Sequence, residues 1–432
     1  MDFLVSLSQP DSMSDSYLSF RLAPADIELA LNNLPQLVFE VTDACNLKCE
    51  YCVFGELYSG FDERLSRNLS FENAKAVIDY LVDFWGKQPL TTVKPPLSIG
   101  FFGGEPLMNF SLIEHVISYI KDLGLNREIT YSITSNCLLL DRYMGFLAEN
   151  DFYLLCSLDG DKQADAYRVR HDGTPSFDKV YKNLKLLQEK YSSYFESDRV
   201  GFNTVLHNLN NIQDVVAFFK KEFNKIPMIS EVNYAGIRDD QRMRYEKIFR
   251  DLRQDLCRAD NQAELAKDLN MEDPEQSSLM FYLKNTTGNS FRSYNDLLVE
   301  ETTGRRALTG TCLPFSRKMF VKVDGKIMQC ERIHHNFVAG MVQDGEVHLD
   351  LNEICNTFNG YLDNLRPNCA RCAGSRICNK CFFNIKGIET SKPECDEFLT
   401  ARQRKEYENN LLRYLYEHPD FYRKFVCETV LQ

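Results

Sequence analysis

Three cysteines lie close together near the amino end of the chain. In the segment TDACNLKCEYC, Cys45, Cys49 and Cys52 form a Cys-x3-Cys-x2-Cys array directly after a short apolar run. Structural zinc prefers four protein ligands in paired arrangements, and no fourth Cys or His is near in sequence. Three thiolates suit a four-iron cluster that leaves one iron open to another ligand. The spacing therefore favours an iron-sulfur site over a zinc site.

A second group of cysteines occupies the carboxyl-terminal part of the chain, where eight of the 15 cysteines fall within 84 residues. These are Cys312, Cys330, Cys355, Cys369, Cys372, Cys378, Cys381 and Cys395. Cys-x2-Cys pairs are common in zinc sites, but only five residues separate the two pairs here, against roughly 15 to 20 in a zinc ribbon. We therefore expect iron-sulfur clusters here too. Cys137, Cys156, Cys257 and Cys427 lie in apolar surroundings and are interpreted as buried hydrophobic residues.

The first cysteine array follows the first of six short apolar segments that alternate with longer helical periods. The predicted strands are residues 37–41, 97–102, 128–134, 152–158, 200–206 and 230–236. Amphipathic helices are predicted after Ser70, a candidate N-cap, and from Ser176. Repeated β-α units indicate a parallel sheet, and six are too few to close an eight-stranded barrel. The fold class is therefore α/β, a partial (β/α)6 TIM-like barrel, with ligand sites expected at the carboxyl ends of the strands.

Composition divides the rest of the chain. We predict an N-terminal lead (1–36), the partial barrel (37–237), a charged helical bridge (238–311), a small cysteine-rich α+β domain (312–395) and a C-terminal helical segment (396–432). The bridge is rich in charged residues with a helical pattern, whereas the cysteine-rich part has little helical periodicity. The length of 432 residues is enough for two to three domains.

Charge and hydropathy exclude several classes of protein. The net charge is -12, with Lys and Arg spread along the chain, which argues against a nucleic-acid partner. No apolar run approaches the roughly 18 residues of a membrane span, and the first residues lack the basic region of a signal peptide. We therefore predict a cytoplasmic protein without a membrane partner. A reducing compartment keeps thiols free, which leaves metal binding or catalysis as the reason for the 15 cysteines.

The first array and its surroundings resemble the radical S-adenosylmethionine enzymes. That family's signature is the same cysteine triad with an aromatic residue before the last cysteine, here Tyr51. The second strand ends in a GGEP sequence that matches the family's turn for the methionyl amino group of the cosubstrate, formed here by Gly103, Gly104, Glu105 and Pro106. Paired glycines let the backbone approach a ligand that a Cβ would push away.

Further matches follow at the ends of the third to fifth strands. Ser135 and Asn136 lie where relatives carry a Thr-Asn-Gly turn, with Cys137 in the glycine position. Ser157 opens an SLDG element, and Arg168 follows in a segment resembling the family's HDxxR element. The resemblance implies that Ser157 and Arg168 hold the methionyl carboxylate, for which a guanidinium fork is well shaped. A surface salt bridge is the alternative for Arg168. Asn203, on the fifth strand, is a further candidate cosubstrate contact.

The second group of cysteines resembles the auxiliary-cluster domain called SPASM, so that the resemblance extends over residues 37–395. It implies three four-iron clusters, one that binds S-adenosylmethionine and two that are auxiliary. The family assigns Cys312, Cys330 and Cys381 to the first auxiliary cluster and Cys369, Cys372, Cys378 and Cys395 to the second. Lys318 occupies the position from which some relatives supply a fourth thiolate. Either Cys355 completes the first auxiliary cluster or that cluster keeps an open iron.

The family implies an oxidoreductase that cleaves S-adenosylmethionine reductively and removes hydrogen from a substrate. Relatives with this layout are mostly peptide maturases, which form thioether or carbon-carbon crosslinks in ribosomally made peptides (RiPPs), and anaerobic sulfatase-maturing enzymes, which oxidise Cys or Ser to formylglycine. The latter carry a catalytic Asp where this chain has Glu331. Glu331 is therefore a candidate base, or a structural carboxylate paired with Arg332 or Lys326. His334 and His335 are interpreted as a solvated loop, with a metal or proton site as the alternative.

We expect a crosslinking peptide maturase, with a formylglycine-forming enzyme and a non-enzymatic iron-sulfur electron carrier as alternatives. The resemblance implies a peptide or protein substrate and a flavodoxin-like or ferredoxin-like electron donor. The 44 residues before Cys45 are too few for a leader-binding winged-helix domain of about 80 residues and a strand. Leader recognition is therefore expected to use the bridge, the N-terminal lead or a separate protein.

Overall fold

Parallel strands form the centre of a ten-stranded sheet in the computed structural model, which describes residues 18–87, 95–234, 236–269, 307–375 and 378–420. The strands are β1 (Gln36–Thr42), β2 (Leu97–Gly103), β3 (Ile129–Ser135), β4 (Tyr153–Ser157), β5 (Val200–Leu206), β6 (Met228–Glu231), β7 (Met319–Val321), β8 (Lys326–Met328), β9 (Gly340–Gln343) and β10 (Glu346–His348). Their spatial order is β10-β9-β8-β7-β1-β2-β3-β4-β5-β6.

The helices described by the structure are α1 (Pro24–Asn32), α2 (Phe71–Lys87), α3 (Phe110–Asp122), α4 (Leu140–Glu149), α5 (Phe177–Lys190), α6 (Ser192–Glu196), α7 (Ile212–Phe223), α8 (Arg242–Ile248), α9 (Leu252–Arg258), α10 (Gln262–Asp268), α11 (Leu351–Cys369) and α12 (Ala401–Glu417). Ser70 caps α2 as predicted, since its hydroxyl accepts a hydrogen bond from the amide of Asn73 at 3.1 Å. None of the described helices is both long and apolar enough to cross a membrane.

The chain divides into two compact units. The sheet unit comprises Leu34–Pro274 and Lys318–Leu349, and the helical unit comprises Met1–Asn33, Glu275–Arg317 and Asp350–Gln432. Contacts thus group Lys318–Leu349 with the sheet, although the sequence places these residues in the cysteine-rich part. The predicted domain boundaries remain a prediction.

The sheet unit confirms the α/β partial barrel. β1 to β6 run parallel in sequential order, and β1 is buried along nearly its whole length, as expected for strands covered on both faces. Its apolar core is rich in phenylalanine, including Phe39, Phe101, Phe152 and Phe202. β7 pairs in parallel with the other edge of β1, which would otherwise be left open.

The sixth strand differs from its predicted position. The sequence indicates residues 230–236, whereas β6 spans Met228–Glu231. β6 is the edge of the described sheet and its side chains are largely exposed, so the apolar pattern that marks buried strands is missing there.

The predicted helical bridge contains α8, α9 and α10, and the part of it from residue 270 to 306 lies outside the described residues. In the helical unit, α11 presents Cys355, Phe358 and Leu362 to the interior. Thr400 caps α12 and forms a reciprocal capping box with Gln403.

Candidate active site at the carboxyl edge of the sheet

The three cysteines of the first array lie on the loop that leaves the carboxyl end of β1, as the sequence predicts. The amide of Cys52 donates to the carbonyl of Cys49 at 3.2 Å, which closes a tight turn between them. Burial raises the pKa of the Cys49 thiol to about 12, with Arg168 opposing and the thiols of Cys52 and Cys45 adding to the effect. Three mutually close thiols are stable as thiolates only beside a strong positive charge, which an iron-sulfur cluster supplies.

The glycine pair at the end of β2 packs directly against the start of this loop. A Cβ on Gly103 would lie 2.1 Å from the carbonyl oxygen of Thr42, and one on Gly104 would lie 2.0 Å from that of Ala44. Gly103 also has a φ of 141°, which side-chain-bearing residues rarely adopt. The amide of Glu105 donates to the carbonyl of Ala44 at 2.8 Å. Only glycine permits this approach of the turn to the cysteine loop.

Glu105 fixes the turn that follows β3. Its buried carboxylate accepts hydrogen bonds from the Ser135 hydroxyl and the Asn136 amide, both at 2.7 Å, and from the Leu107 amide at 3.2 Å. Burial raises the pKa of Glu105 to about 7, although the hydrogen bonds from these three donors act to lower it. Pro106 begins the short 3-10 helix Pro106–Asn109 that Glu105 caps. Glu105 therefore holds the turn through its side chain, whereas the family resemblance implies a role for the backbone of this motif.

The turn after β3 reaches the first cysteine. The Asn136 side-chain amide lies 3.9 Å from the sulfur of Cys45 and donates to Oδ1 of Asn46 at 2.7 Å. Cys137 has a φ of 61°, a left-handed conformation that glycine adopts readily and other residues rarely adopt. This conformation is compatible with a glycine at this position in the motif that the segment resembles.

A buried ion pair occupies the ends of β4 and β5. Arg168 donates from Nε and Nη2 to the two oxygens of Asp159, at 3.0 Å each, and is 7% exposed. The surface salt bridge considered for Arg168 is therefore wrong. Ser157 and Asn203 pair across β4 and β5 at the same edge. Their role toward a cosubstrate remains a prediction.

Sequence reasoning missed Asp159 itself and two of its neighbours, His207 and Asp165, whereas Tyr51, which also contacts this pair, belongs to the predicted motif. Tyr51 donates its hydroxyl to Asp159, and its ring stacks on that of His207 with 5.7 Å between centroids. His207 is fully buried, with Nε2 3.6 Å from Asp159. Asp165 lies 3.5 Å from Arg168, and burial together with the charge of Asp159 raises the pKa of its carboxyl to about 8. Asp159 belongs to the SLDG element, and Asp165 belongs to the segment that resembles HDxxR. Only the fold shows that both carboxylates lie next to Arg168.

The four cysteines predicted for the second auxiliary cluster come together in the helical unit. They line one cavity of about 170 Å³, and these residues are Cys369, Cys372, Cys378 and Cys395. Burial raises the pKa of the Cys369 thiol to about 12, and the other three thiols add to the effect. The donor set and the cavity fit a cluster, although the ligand roles remain a prediction.

The cysteines predicted for the first auxiliary cluster lie in both units. Cys312 and Cys381 belong to the helical unit, where the thiol of Cys312 contributes to a raised pKa of Cys381 after the larger effect of burial. Cys330 follows β8 in the sheet unit, and its sulfur accepts the amide of Arg332 at 3.3 Å. Cys355 is buried in α11, where burial and Asp26 of α1 raise its pKa to about 11.

Glu331 lies in an ion pair with Lys318, whose Nζ is 3.0 Å from the carboxylate, and Arg332 lies 3.8 Å away. Lys326, considered as a partner from the sequence, instead contacts Asp62 at 2.8 Å. The catalytic role of Glu331 remains a prediction.

The interpretation of His334 and His335 as a solvated loop is wrong for His335. His335 is 3% exposed, and its Nδ1 accepts from the amide of Asp62 and contacts Nζ of the buried Lys322, both at 2.9 Å. Burial lowers the pKa of His335 to about 4. The sequence gives no sign of this packing, because Asp62 is more than 250 residues away in the chain.

Three of the four cysteines interpreted as buried hydrophobic residues lie within the described ranges. Cys137 and Cys156 are buried as expected, whereas Cys257 is exposed, so its interpretation as a core residue is wrong. Cys427 lies outside the described residues. Within the described ranges, no three His, Cys, Asp or Glu side chains converge closely enough to hold a single metal ion. Ligands of a four-iron cluster are distributed over several irons and so are spaced more widely.

Comparison with known proteins identifies the domain that carries the first array. Residues 39–221 match the Radical SAM superfamily. The chain is 26% identical over 214 residues to the radical SAM cyclopropyl synthase TigE of Paramaledivibacter caminithermalis, which covers 44% of each chain. It is 25% identical over 211 residues to a cysteine-type anaerobic sulfatase-maturating enzyme of Clostridium novyi, which covers 47% of this chain and 53% of that one. The chain spans about half the length of the curated relatives it matches.

The fold also resembles a solved structure, that of native anSMEcpe with bound AdoMet. The TM-score is 0.55 at 19% identity, over 91% of this chain and 99% of the other. At this identity the likeness shows the fold alone. Together with the cysteine loop after β1 and the glycine turn after β2, the sequence match leads to one conclusion: this chain carries a radical SAM domain in residues 39–221.

Proposed function

We propose that this protein is a radical SAM peptide maturase that crosslinks a ribosomally made peptide by removing two hydrogens from it. The observation that carries the proposal is the convergence, at one edge of the sheet, of the cysteine loop after β1, the glycine turn after β2 and the buried Arg168. Parallel sheets place such ends together, and ligands bind there. An electron carrier has no need of the glycine turn or the buried guanidinium.

We assign different roles to the residues at this edge of the sheet. Cys45, Cys49 and Cys52 would hold a four-iron cluster, and Arg168 and Ser157 would hold the carboxylate of S-adenosylmethionine. When bound, these two groups supply an adenosyl radical that removes a hydrogen atom from an unactivated carbon. The protein orients the reactants and excludes water, which the burial of Tyr51, Glu105 and Asn136 favours.

The helical unit supports the redox part of the proposal. Four cysteines around one cavity provide the donors for an auxiliary cluster, which would accept the electron released when the substrate radical is oxidised. We propose that Cys312, Cys330 and Cys381 hold the other auxiliary cluster. A flavodoxin-like or ferredoxin-like protein would supply the first electron.

Formylglycine formation is the second candidate, because sulfatase-maturating enzymes are among the relatives with similar identity. That reaction requires a base, for which Glu331 is the candidate. In the structure Glu331 is 16% exposed and already paired with Lys318, so it would have to leave that pair to take a proton from a substrate. The pairing favours the crosslinking candidate.

The test is co-expression with candidate precursor peptides, followed by tandem mass spectrometry. Crosslinking predicts loss of two hydrogens and a pair of residues that no longer fragment apart. Formylglycine made from serine also removes two hydrogens, so an aldehyde-reactive probe separates the two reactions. An aldehyde without a crosslink would refute the proposed crosslinking.

A matched pair of variants tests the radical SAM chemistry itself. Replacing Cys45, Cys49 and Cys52 by Ala should abolish formation of 5′-deoxyadenosine and remove the iron of one cluster. Cys257→Ala should change neither, because Cys257 is exposed on α9 and apart from both cysteine groups in sequence. Full cosubstrate cleavage by the triple variant would contradict the proposal.

A further inference from the structure

The carboxylate of Asp159 is the meeting point of several donors at the carboxyl edge of the sheet. It is completely buried and accepts from Nε and Nη2 of Arg168 and from the amide of Val205 at 2.9 Å. The Tyr51 hydroxyl also donates to it. Burial acts to raise the pKa of Asp159, but Arg168 and His207 prevail and lower it to about 2. Asp159 is therefore an anion held in place by its neighbours.

Stability alone does not account for this arrangement. A buried ion pair can be replaced by apolar residues of similar volume with little loss, and often with a gain, in the free energy of unfolding. The pair lies beside the cysteine loop, since the amide of Lys48 donates to the carbonyl of Val169 at 2.7 Å and the amide of Glu50 to the carbonyl of Tyr167 at 3.1 Å. Its position suggests a role in the site.

The geometry of the Arg168 fork indicates what that role is. A guanidinium group is planar and offers two edges that can each bind a carboxylate in bidentate fashion. Asp159 occupies the edge formed by Nε and Nη2. Nη1 makes no hydrogen bond to a described residue, and the Arg168 side chain is 9% exposed. The edge formed by Nη1 and Nη2 is therefore not occupied by a described carboxylate.

Tyr51 connects the same carboxylate to the cysteine loop. Tyr51 lies between Cys49 and Cys52 in the sequence. The centroid of its ring is 5.5 Å from the guanidinium carbon of Arg168. Its hydroxyl bond to Asp159 joins the loop that would hold the cluster to the arginine that would hold the cosubstrate. A displacement of Asp159 would therefore affect both the cysteine loop and Arg168.

We propose that Asp159 is a positioning residue, which fixes the orientation of Arg168 so that its outer edge receives the carboxylate of the cosubstrate. This inference rests on the proposed function and goes beyond it, because Asp159 itself touches no substrate. The ordered arginine binds a carboxylate without first losing side-chain freedom, which is the gain from preorganisation.

The test compares two ligands that differ only in the carboxylate. Cluster-reconstituted full-length protein is titrated anaerobically with S-adenosylmethionine and with its decarboxylated form, and the ratio of the two dissociation constants gives the preference for the carboxylate. Asp159→Asn should weaken binding of S-adenosylmethionine about ten- to a hundredfold, the usual effect of disturbing a hydrogen-bonded charge. Binding of the decarboxylated ligand should change little.

Two further variants keep the test decisive. Asp178→Asn, at an exposed ion pair with Lys162, is the matched control and should keep the wild-type preference. Tyr51→Phe removes one donor to Asp159 and should lower the preference about fivefold. If Asp159→Asn does not incorporate iron, Tyr51→Phe alone decides, and an unchanged preference in it overturns the inference.

The outcomes separate this inference from the proposed function. An equal loss of affinity for both ligands in Asp159→Asn, or no loss, refutes the positioning role while the wild-type preference stands. A wild-type protein that binds neither ligand refutes the proposed function and the inference with it.

Discussion

Among the glycines that the structure describes, Gly104 is the one at which a new Cβ, as in Gly104→Ala, would lie closest to a neighbouring atom. The new Cβ would lie 2.0 Å from the carbonyl oxygen of Ala44, about 1 Å closer than real Cβ atoms approach another atom. That oxygen also accepts the amide of Glu105 at 2.8 Å, so moving it away breaks a hydrogen bond. Overpacking costs about 1–3 kcal/mol and a lost hydrogen bond about 1 kcal/mol. We expect the free energy of unfolding to fall by about 2–4 kcal/mol.

The matched control is Gly360→Ala in α11, where the new Cβ meets nothing within 4 Å. Alanine has the higher helix propensity, so this variant should gain about 0.5–1 kcal/mol. The measurement is urea unfolding followed by circular dichroism under anaerobic reducing conditions. A Gly104→Ala protein within about 0.5 kcal/mol of the wild type would refute the reasoning, because it would mean that the turn and the cysteine loop do not touch as described.

Four further predictions concern His335, Cys378, Cys355 and Glu105. Because burial lowers the pKa of His335 to about 4 from its ordinary 6.5, the unfolded chain gains a proton in that window that the folded chain does not. The free energy of unfolding should therefore fall, by up to about 3 kcal/mol, on acidification from pH 7 to pH 4, and His335→Gln should flatten this dependence in urea titrations. Cys378→Ser should remove about a third of the bound iron if three four-iron clusters are present, as measured by iron analysis and electron paramagnetic resonance. Cys355→Ala should keep all of it, since the charged group that affects this thiol is Asp26 of α1 and not another cysteine, and iron loss would show instead that Cys355 is a ligand. Glu105→Gln should destabilise the protein at pH 7 by about 1–3 kcal/mol in urea unfolding, because one amide oxygen cannot serve three donors, and an unchanged midpoint would contradict this.

Several features of the sheet could be predicted from local sequence. The first five strands lie close to their predicted positions, because buried parallel strands read as apolar runs. The exposed edge strand β6 has no such signal, and its prediction was displaced toward residues 230–236. The pairing of β7 with β1 joins residues about 280 positions apart, which no local pattern encodes.

In the candidate site, too, some features could be predicted from local sequence and others depend on contacts between distant segments. The cysteine spacing and the glycine turn identify the first array, because ligand spacing and backbone freedom are properties of short segments. Asp159 and His207 were not singled out, since an aspartate or a histidine in a loop has many ordinary roles. Only their burial around Arg168 distinguishes them.

The sequence by itself determined that this chain carries a parallel α/β sheet with a thiol-rich loop at the end of its first strand, because these features depend on periodicity and spacing within a few tens of residues. Only the tertiary structure decided that Asp159 holds one edge of the Arg168 fork, that Gly104 contacts the backbone of Ala44 and that His335 is buried beside Lys322. The physical reason is that burial and hydrogen bonding depend on which distant segments meet, and the fold sets those contacts.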